Sequence, residues 1–202
     1  MQTKQDQLIE FITKNGGFTS SAELVRAGFY KAIIYSALKD GLIDRIRHGV
    51  YSLAGALDFS HPDLITASII VPNGVICLIT ALSFYEVTDE IPHQIDIAVT
   101  KGYWNKGTDK LPLKLYYFSR ETWKQGIEEH DIDGQKIRIY SLAKTLADCF
   151  KFRNQIGMDI ARSALKNALE QKKVDKREIM KYATICRVTN IIKPILETLI
   201  LK

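Results

Sequence analysis

Residues 22–53 read AELVRAGFYKAIIYSALKDGLIDRIRHGVYSL, and this stretch determines the fold that we expect. Residues 29–40 predict a short helix, because apolar side chains recur three and four positions apart and can form one buried stripe. The stripe consists of Ile33, Ile34, Ala37 and Leu38. The opposite face carries Lys31, Tyr35 and Lys39 in one row, with Tyr30 and Ser36 beside it. Such a row suits contacts with phosphates and base edges in the DNA major groove, so we predict a DNA-recognition helix.

The stretch after this helix predicts a β-hairpin. Residues 41–53 alternate apolar and polar side chains, as a half-buried hairpin does. Arg45, Arg47 and His48 lie toward its tip, and strict alternation would place both arginines on one side, where they could contact phosphates. A helix followed by a small basic hairpin is typical of a winged helix-turn-helix, in which the helix contacts a groove and the wing contacts the backbone beside it.

Two further helices are predicted before the recognition helix. Residues 4–13 carry an apolar stripe, and the glycines at 16–17 end that helix. Ser20 followed by Glu23 has the form of a capping box, so the second helix begins there and ends at Gly28. The turn into the recognition helix is then only a few residues long, as a helix-turn-helix requires.

The charge of the chain favours a polyanionic partner without proving one. Its 202 residues are 46% hydrophobic, and the net charge of +5 and pI near 9.0 are compatible with nucleic-acid binding. Residues 140–202 hold thirteen Lys and Arg against six Asp and Glu, whereas residues 1–60 hold seven against six. The C-terminal helices therefore offer a second basic surface, which could bind nucleic acid or could be an ordinary solvated face. Its members are Lys144, Lys151, Arg153, Arg162, Lys166, Lys172, Lys173, Lys176 and Arg177.

The cysteines and the apolar runs favour a cytoplasmic protein. Cys77, Cys149 and Cys186 lie far apart with no paired spacing, which favours reduced thiols. No apolar run approaches about 18 residues, and the first residues lack the apolar core of a signal peptide. We therefore expect neither a membrane span nor a secreted location.

Residues 61–202 predict an α+β domain with a small sheet and C-terminal helices. Residues 54–62 are expected to form the junction, which gives a winged helix-turn-helix at 1–55 and a second domain at 56–202. The predicted strands are at the end of 91–99, at 113–118 and at 135–140, the last after an Asp-Gly turn. The predicted helices span 63–71, 75–85, 142–152, 158–171, 176–182 and 190–201.

With these segments placed, the sequence resembles the AbiEi family of antitoxins and transcriptional regulators, which belong to bacterial abortive-infection (type IV) toxin–antitoxin systems. The resemblance rests on three stretches, which occur in the same order as in that family. Residues 45–53 are similar to the wing of that family, usually Arg-Gly-Val-Tyr, although here His48 stands between the arginine and the glycine. Residues 72–82, with Ile91 and Pro92 and the strand after them, are similar to the opening of the second domain, and residues 140–148 resemble its third landmark.

The resemblance implies a protein that binds inverted repeats of double-stranded DNA at its own promoter and represses transcription. It also implies a C-terminal domain that neutralises a nucleotidyltransferase-like toxin in phage defence, commonly without a stable complex. No motif assigns antitoxicity to particular C-terminal residues. Because a single DNA-binding module buries only about 600–1,000 Å² of protein surface, we expect two copies to pair on the inverted repeat.

Two other functions remain open from the residues themselves. A stand-alone winged-helix transcription factor could use the C-terminal domain to sense a ligand or a partner. A metal-dependent nuclease could use Asp96 and Lys101 with Glu86 or Glu90 upstream, since two carboxylates can hold a divalent ion. The four histidines lack zinc-ligand spacing, and no phosphate-binding glycine loop or nucleophile elbow is present, so we predict no catalytic residues, cofactor or metal.

Overall fold

The computed structural model describes residues 2–55, 60–103 and 112–200, and the fold is mixed α+β with two small sheets. Of these residues, 2–72 and 130–137 form one compact unit, and the remainder forms a second. The predicted boundary between residues 55 and 56 adjoins 56–59, which lie outside the described part. No helix in the described ranges is both long and apolar enough to cross a membrane.

The first unit contains four helices and a three-stranded sheet. Its elements are α1 (Lys4–Lys14), β1 (Phe18–Ser20), α2 (Ser21–Arg26), α3 (Lys31–Lys39), β2 (Ile43–Arg47), β3 (Val50–Leu53) and α4 (Pro62–Ile70). The strands run antiparallel in the order β1-β3-β2. Strand β1 was not predicted, because it is only three residues long and is defined by its pairing with β3 rather than by its own alternation.

Two predicted local signals of the first unit, the capping box at Ser20 and the apolar stripe of α3, are confirmed. Ser20 caps α2, and its hydroxyl accepts from the amide of Glu23 at 3.2 Å while the Glu23 carboxylate accepts from the Ser20 amide at 2.8 Å. In α3, Ile34 and Ala37 are buried, and the other two members of the apolar stripe pack against the same core. The core includes Leu8, Ile12 and Leu24 from the preceding helices. The polar face of α3 is therefore the face that the core leaves uncovered.

The second unit consists of a mixed sheet and a helical layer. The strands of the sheet are β4 (Val75–Ile76), β5 (Ile95–Thr100), β6 (Leu113–Phe118), β7 (Ile127–Ile132) and β8 (Gln135–Tyr140), in the order β6-β5-β4-β8-β7. Residues 130–137 of β7, β8 and the turn between them are counted with the first unit. β5 and β6 are parallel, as are β4 and β8, whereas β4 and β5 are antiparallel. The helices are α5 (Leu78–Phe84), α6 (Arg120–Trp123), α7 (Leu142–Lys151), α8 (Arg153–Ile156), α9 (Met158–Glu170), α10 (Lys176–Cys186) and α11 (Thr189–Ile200).

Most of the predicted elements after residue 60 are present, with one correction and three additions. Strands β5, β6 and β8 are confirmed, and both turn residues before β8, Asp133 and Gly134, have positive φ. The single helix predicted over residues 75–85 was wrong, because β4 precedes α5 there. A strand buried on both faces gives a continuous apolar run that periodicity cannot separate from a buried helix. Helices α6 and α8 and strand β7 were not predicted.

Candidate nucleic-acid interface

Helix α3 presents the predicted row of Lys31, Tyr35 and Lys39 to solvent. Tyr35 is 72% exposed and Tyr30, at the N-terminal end of the helix, is 77% exposed. Tyrosine side chains usually bury most of their surface in a folded protein. Two tyrosines that are largely exposed to solvent beside two lysines therefore form an unusual surface patch. None of the described residues forms an ion pair with either lysine. Both ammonium groups are therefore available to phosphates.

The short turn before α3 fixes the direction of this row. The amide of Phe29 donates to the carbonyl of Leu24 at 2.9 Å, and Gly28 has a φ of +85°, which suits glycine. The Phe29 ring packs on Phe11 with 5.6 Å between the ring centroids. Helix α3 is thus held against α1 and α2 by its N-terminal end as well as by its apolar stripe.

Ser36 faces α1 rather than joining the exposed row. Its hydroxyl accepts from Gln5 Nε2 at 3.0 Å and donates to Asp40 Oδ2 at 3.2 Å, and the side chain is half-buried. Gln5 Nε2 also donates to Asp40 Oδ2 at 2.6 Å. A hydroxyl engaged in this way stabilises the contact between two helices and is less available to DNA.

The β2–β3 hairpin presents Arg45 and His48 as exposed side chains. The strand register shifts by one residue between Arg45, opposite Tyr51, and Arg47, opposite Val50. The assumption of strict alternation was therefore wrong at this point, because a bulge changes which side the following residue faces. The side chain of Arg47 lies outside the described part of the structure.

A backbone contact holds the tip of the hairpin beside α2. The amide of Ser21, the first residue of α2, donates to the carbonyl of Gly49 at 2.8 Å. Ser21 has no signal in the sequence that marks this contact, since the pairing of β1 with β3 brings it to the tip. The hairpin and the helix that precedes α3 therefore form one anchored structure.

The C-terminal basic residues divide into free and engaged groups. Arg162, Lys172, Lys176 and Arg177 are exposed, as is Lys151. Lys173 donates to the carbonyl of Tyr85 at 2.8 Å and lies 3.5 Å from Glu86. Arg153 donates to the carbonyl of Phe150 at 2.9 Å, and Lys166 lies 3.8 Å from Glu170. The structure thus does not form one uninterrupted basic surface from these residues.

The predicted surface position of Lys144 was wrong. This side chain is 0% exposed, and its ammonium donates to Asp148 Oδ2, four residues later in α7. It also lies 4.3 Å from the centroid of the Tyr140 ring and 4.9 Å from that of Phe118. Cys186 Sγ donates to the other oxygen of Asp148 at 3.1 Å. Burial raises the pKa of Asp148 and the adjacent lysine opposes that rise, so the pair is a structural ion pair of the core.

Asp96, the central residue of the nuclease alternative, is buried in β5. Its Oδ2 accepts from the amide of Ile79 at 3.2 Å, and its Oδ1 has no hydrogen-bond partner among the described residues. Burial raises the pKa of Asp96 to about 6, and Lys114 and the backbone amides partly oppose that rise. Glu86, one of the two proposed partners, lies beside Lys173 instead. Within the described ranges, no group of three His, Cys, Asp or Glu side chains could hold a metal ion.

The chain matches no protein-family model and no curated protein.

Proposed function

We propose that the protein is a DNA-binding autorepressor with a winged helix-turn-helix at its N-terminus, and that it is also the antitoxin of a type IV toxin–antitoxin system. The order helix, strand, helix, helix and hairpin, with β1 paired to the hairpin, supports a winged helix. The DNA-binding part of this proposal rests on the row of Lys31, Tyr35 and Lys39. These side chains are exposed on the face of α3 that does not pack against the core.

We assign a different role to each basic element. On α3, the lysines contact phosphates while the exposed tyrosines contact bases or sugars. On the hairpin, Arg45 and His48 contact the backbone next to the groove. Since one such module buries little DNA surface, two copies bind an inverted repeat upstream of the gene.

The antitoxin half of the proposal has a different support, namely the resemblance in three ordered stretches to the AbiEi family. The partner proposed on that basis is a nucleotidyltransferase-like toxin, neutralised without a stable complex. Because a bacterial autorepressor acts on DNA in the cytoplasm, the proposed location of the protein is the cytoplasm.

The DNA-binding half is tested by fluorescence anisotropy on the DNA upstream of the gene, with salt varied between about 50 and 200 mM. Lys31→Ala/Lys39→Ala should weaken binding and reduce the slope of log affinity against log salt by about two units, one for each lost phosphate contact. The matched control is Lys4→Ala/Lys14→Ala, which removes the same charge from α1. Equal losses in both double variants would refute the assignment to α3, and an unchanged slope would remove these lysines from the phosphate contacts.

The antitoxin half is tested by co-expression with the neighbouring gene. Rescue of growth from a toxic neighbour supports an antitoxin, and persistence of rescue in Lys31→Ala/Lys39→Ala would assign it to the second unit. A neighbour that is not toxic, or toxicity that the protein does not relieve, would leave the stand-alone transcription factor as the better assignment.

A further inference from the structure

The second unit contains a cavity of about 730 Å³ at one edge of its sheet. Lys101 directly follows β5 and Ser119 directly follows β6, and both residues line the cavity. Because β5 and β6 are parallel, their carboxyl ends meet at the same edge, which is where α/β sheets usually bind ligands. The volume is within the range of small-molecule sites, about 300–1,000 Å³.

Three cations from three parts of the unit converge on this cavity. Lys101 follows β5, Lys151 ends α7 and Arg187 follows α10. All three are exposed, and no described carboxylate forms an ion pair with any of them. Glu121 is the one acidic residue among the lining residues. A concave site with this charge balance concentrates anions.

The helix dipole does not explain this arrangement by itself. A cation at the C-terminal end of a helix is favourable, and that accounts for Lys151 on α7 and Arg187 after α10. It does not account for Lys101, which follows a strand, or for the convergence of all three on one cavity. Arg187 also has a φ of +60°, at a position where helices usually place glycine.

Two aromatic side chains stand on the cavity wall beside these cations. Tyr117 is 50% exposed, and Phe152 is half-buried. The ammonium of Lys151 lies 5.8 Å from the centroid of the Phe152 ring. An open aromatic face can stack on a nucleobase, and the neighbouring cations suit phosphate groups.

We propose that this cavity binds a free nucleotide. Its phosphates contact Lys101, Lys151 and Arg187, and its base stacks on Tyr117. This site lies in the second unit and is independent of the DNA-binding proposal, because it uses none of the residues of α3 or of the β2–β3 hairpin.

Calorimetric titration of the full chain with ATP, adenosine and tripolyphosphate tests the proposal. ATP should bind most tightly, because it alone combines the base with the phosphates. Arg187→Gly and Lys151→Gln should each weaken ATP binding roughly tenfold or more, as expected for the loss of a charged hydrogen bond. Glycine is compatible with the positive φ at position 187, so that variant should fold at least as well as the natural chain.

Tyr117→Leu separates a nucleotide site from a general anion site. It should weaken ATP binding and leave tripolyphosphate binding unchanged. The control Arg162→Gln/Lys166→Gln on α9 removes two exposed cations that do not line the cavity, and it should retain ATP binding. Tripolyphosphate binding as tight as ATP, or an equal loss in the control, would overturn the proposal.

Two further measurements complete the test. No ATP binding at millimolar concentration would refute the proposal, and so would tight binding of a 5′-phosphorylated oligonucleotide without binding of ATP. Lys31→Ala/Lys39→Ala should keep nucleotide binding, so a failure of the DNA-binding proposal and a failure of this one give different results.

Discussion

The buried pair of Lys144 and Asp148 gives a prediction whose size follows from its surroundings. Both side chains are 0% exposed, and each neutralises the charge of the other within α7. Asp148→Asn retains the shape of the carboxylate but leaves an uncompensated ammonium in the core. Lys144→Met leaves a buried carboxylate whose hydrogen-bond partner among the described residues is the Cys186 thiol. Removal of one partner from a buried ion pair costs about 3–5 kcal/mol, so either substitution should remove a large part of the stability of this unit.

The double variant Lys144→Met/Asp148→Leu should behave differently from either single variant. It removes both charges together, and apolar side chains replace them in a site lined by Tyr140 and Phe118. Replacement of a buried ion pair by apolar residues is often neutral or stabilising. The double variant should therefore lie within about 1 kcal/mol of the natural chain, which implies a strongly non-additive cycle.

Urea unfolding followed by the fluorescence of Trp123 measures this cycle. The indole of Trp123 donates to the carbonyl of Ala98 at 3.2 Å, so its emission reports on the second unit. The chain has two tryptophans, and a Trp104→Phe background leaves Trp123 as the single fluorophore. A cost below about 1 kcal/mol for the single variants, or a double variant equal to their sum, would refute the interpretation of this pair.

Three further predictions concern stability. Burial raises the pKa of Asp96 from 3.8 to about 6, so the folded chain holds the proton more tightly and the free energy of unfolding falls as pH rises between those values, by up to about 3 kcal/mol. Urea unfolding at about pH 5 and about pH 7.5 should show about 1.4 kcal/mol of this difference, because pH 5 lies only about one unit below the raised pKa of Asp96. A profile that is the same in Asp96→Asn would contradict it. Gly126→Ala should cost more stability than Gly102→Ala, because both positions have positive φ but only at Gly126 would the new Cβ lie 2.8 Å from Lys144 Cβ; equal unfolding midpoints would count against this clash. Ser20→Ala should lower the free energy of unfolding by about 1 kcal/mol through loss of the α2 capping box, and an unchanged thermal midpoint would rule out that contribution.

The sequence was informative where the signal for an element is local. The capping box at Ser20, the apolar stripe of α3 and the Asp133-Gly134 turn each depend on neighbours a few positions away, and all three are present. Strand β7 lacks such a signal, because its central residues are Glu128, Glu129, His130 and Asp131. It lies at the edge of the sheet, where polar side chains are tolerated. An edge position is a property of the whole sheet and cannot be recognised from one strand.

Lys144 illustrates a different limit of sequence reasoning. It was counted with the basic residues of the C-terminal helices, but α7 is the helix in which every residue from position 142 to 150 is buried. A signal was available, since Asp148 follows four positions later among apolar neighbours, and that spacing places both charges on one side of a helix. The spacing alone does not decide between a surface pair and a buried one. That decision depends on which helix the sheet and the other helices cover.

The formal charge of the sequence also overstates the number of cations that are available to bind an anionic partner. Lys173, Lys166 and Arg153 count as cations in the sequence, yet each contacts an oxygen atom of the protein itself. Lys101, Lys151 and Arg187 are far apart in the chain, and no described carboxylate forms an ion pair with them. Their value for binding an anion arises from the parallel pairing of β5 with β6 and from the ends of two helices, which bring three unpaired charges to one cavity. A basic stretch therefore marks a binding site only after the charges that the fold has already paired are removed from the count.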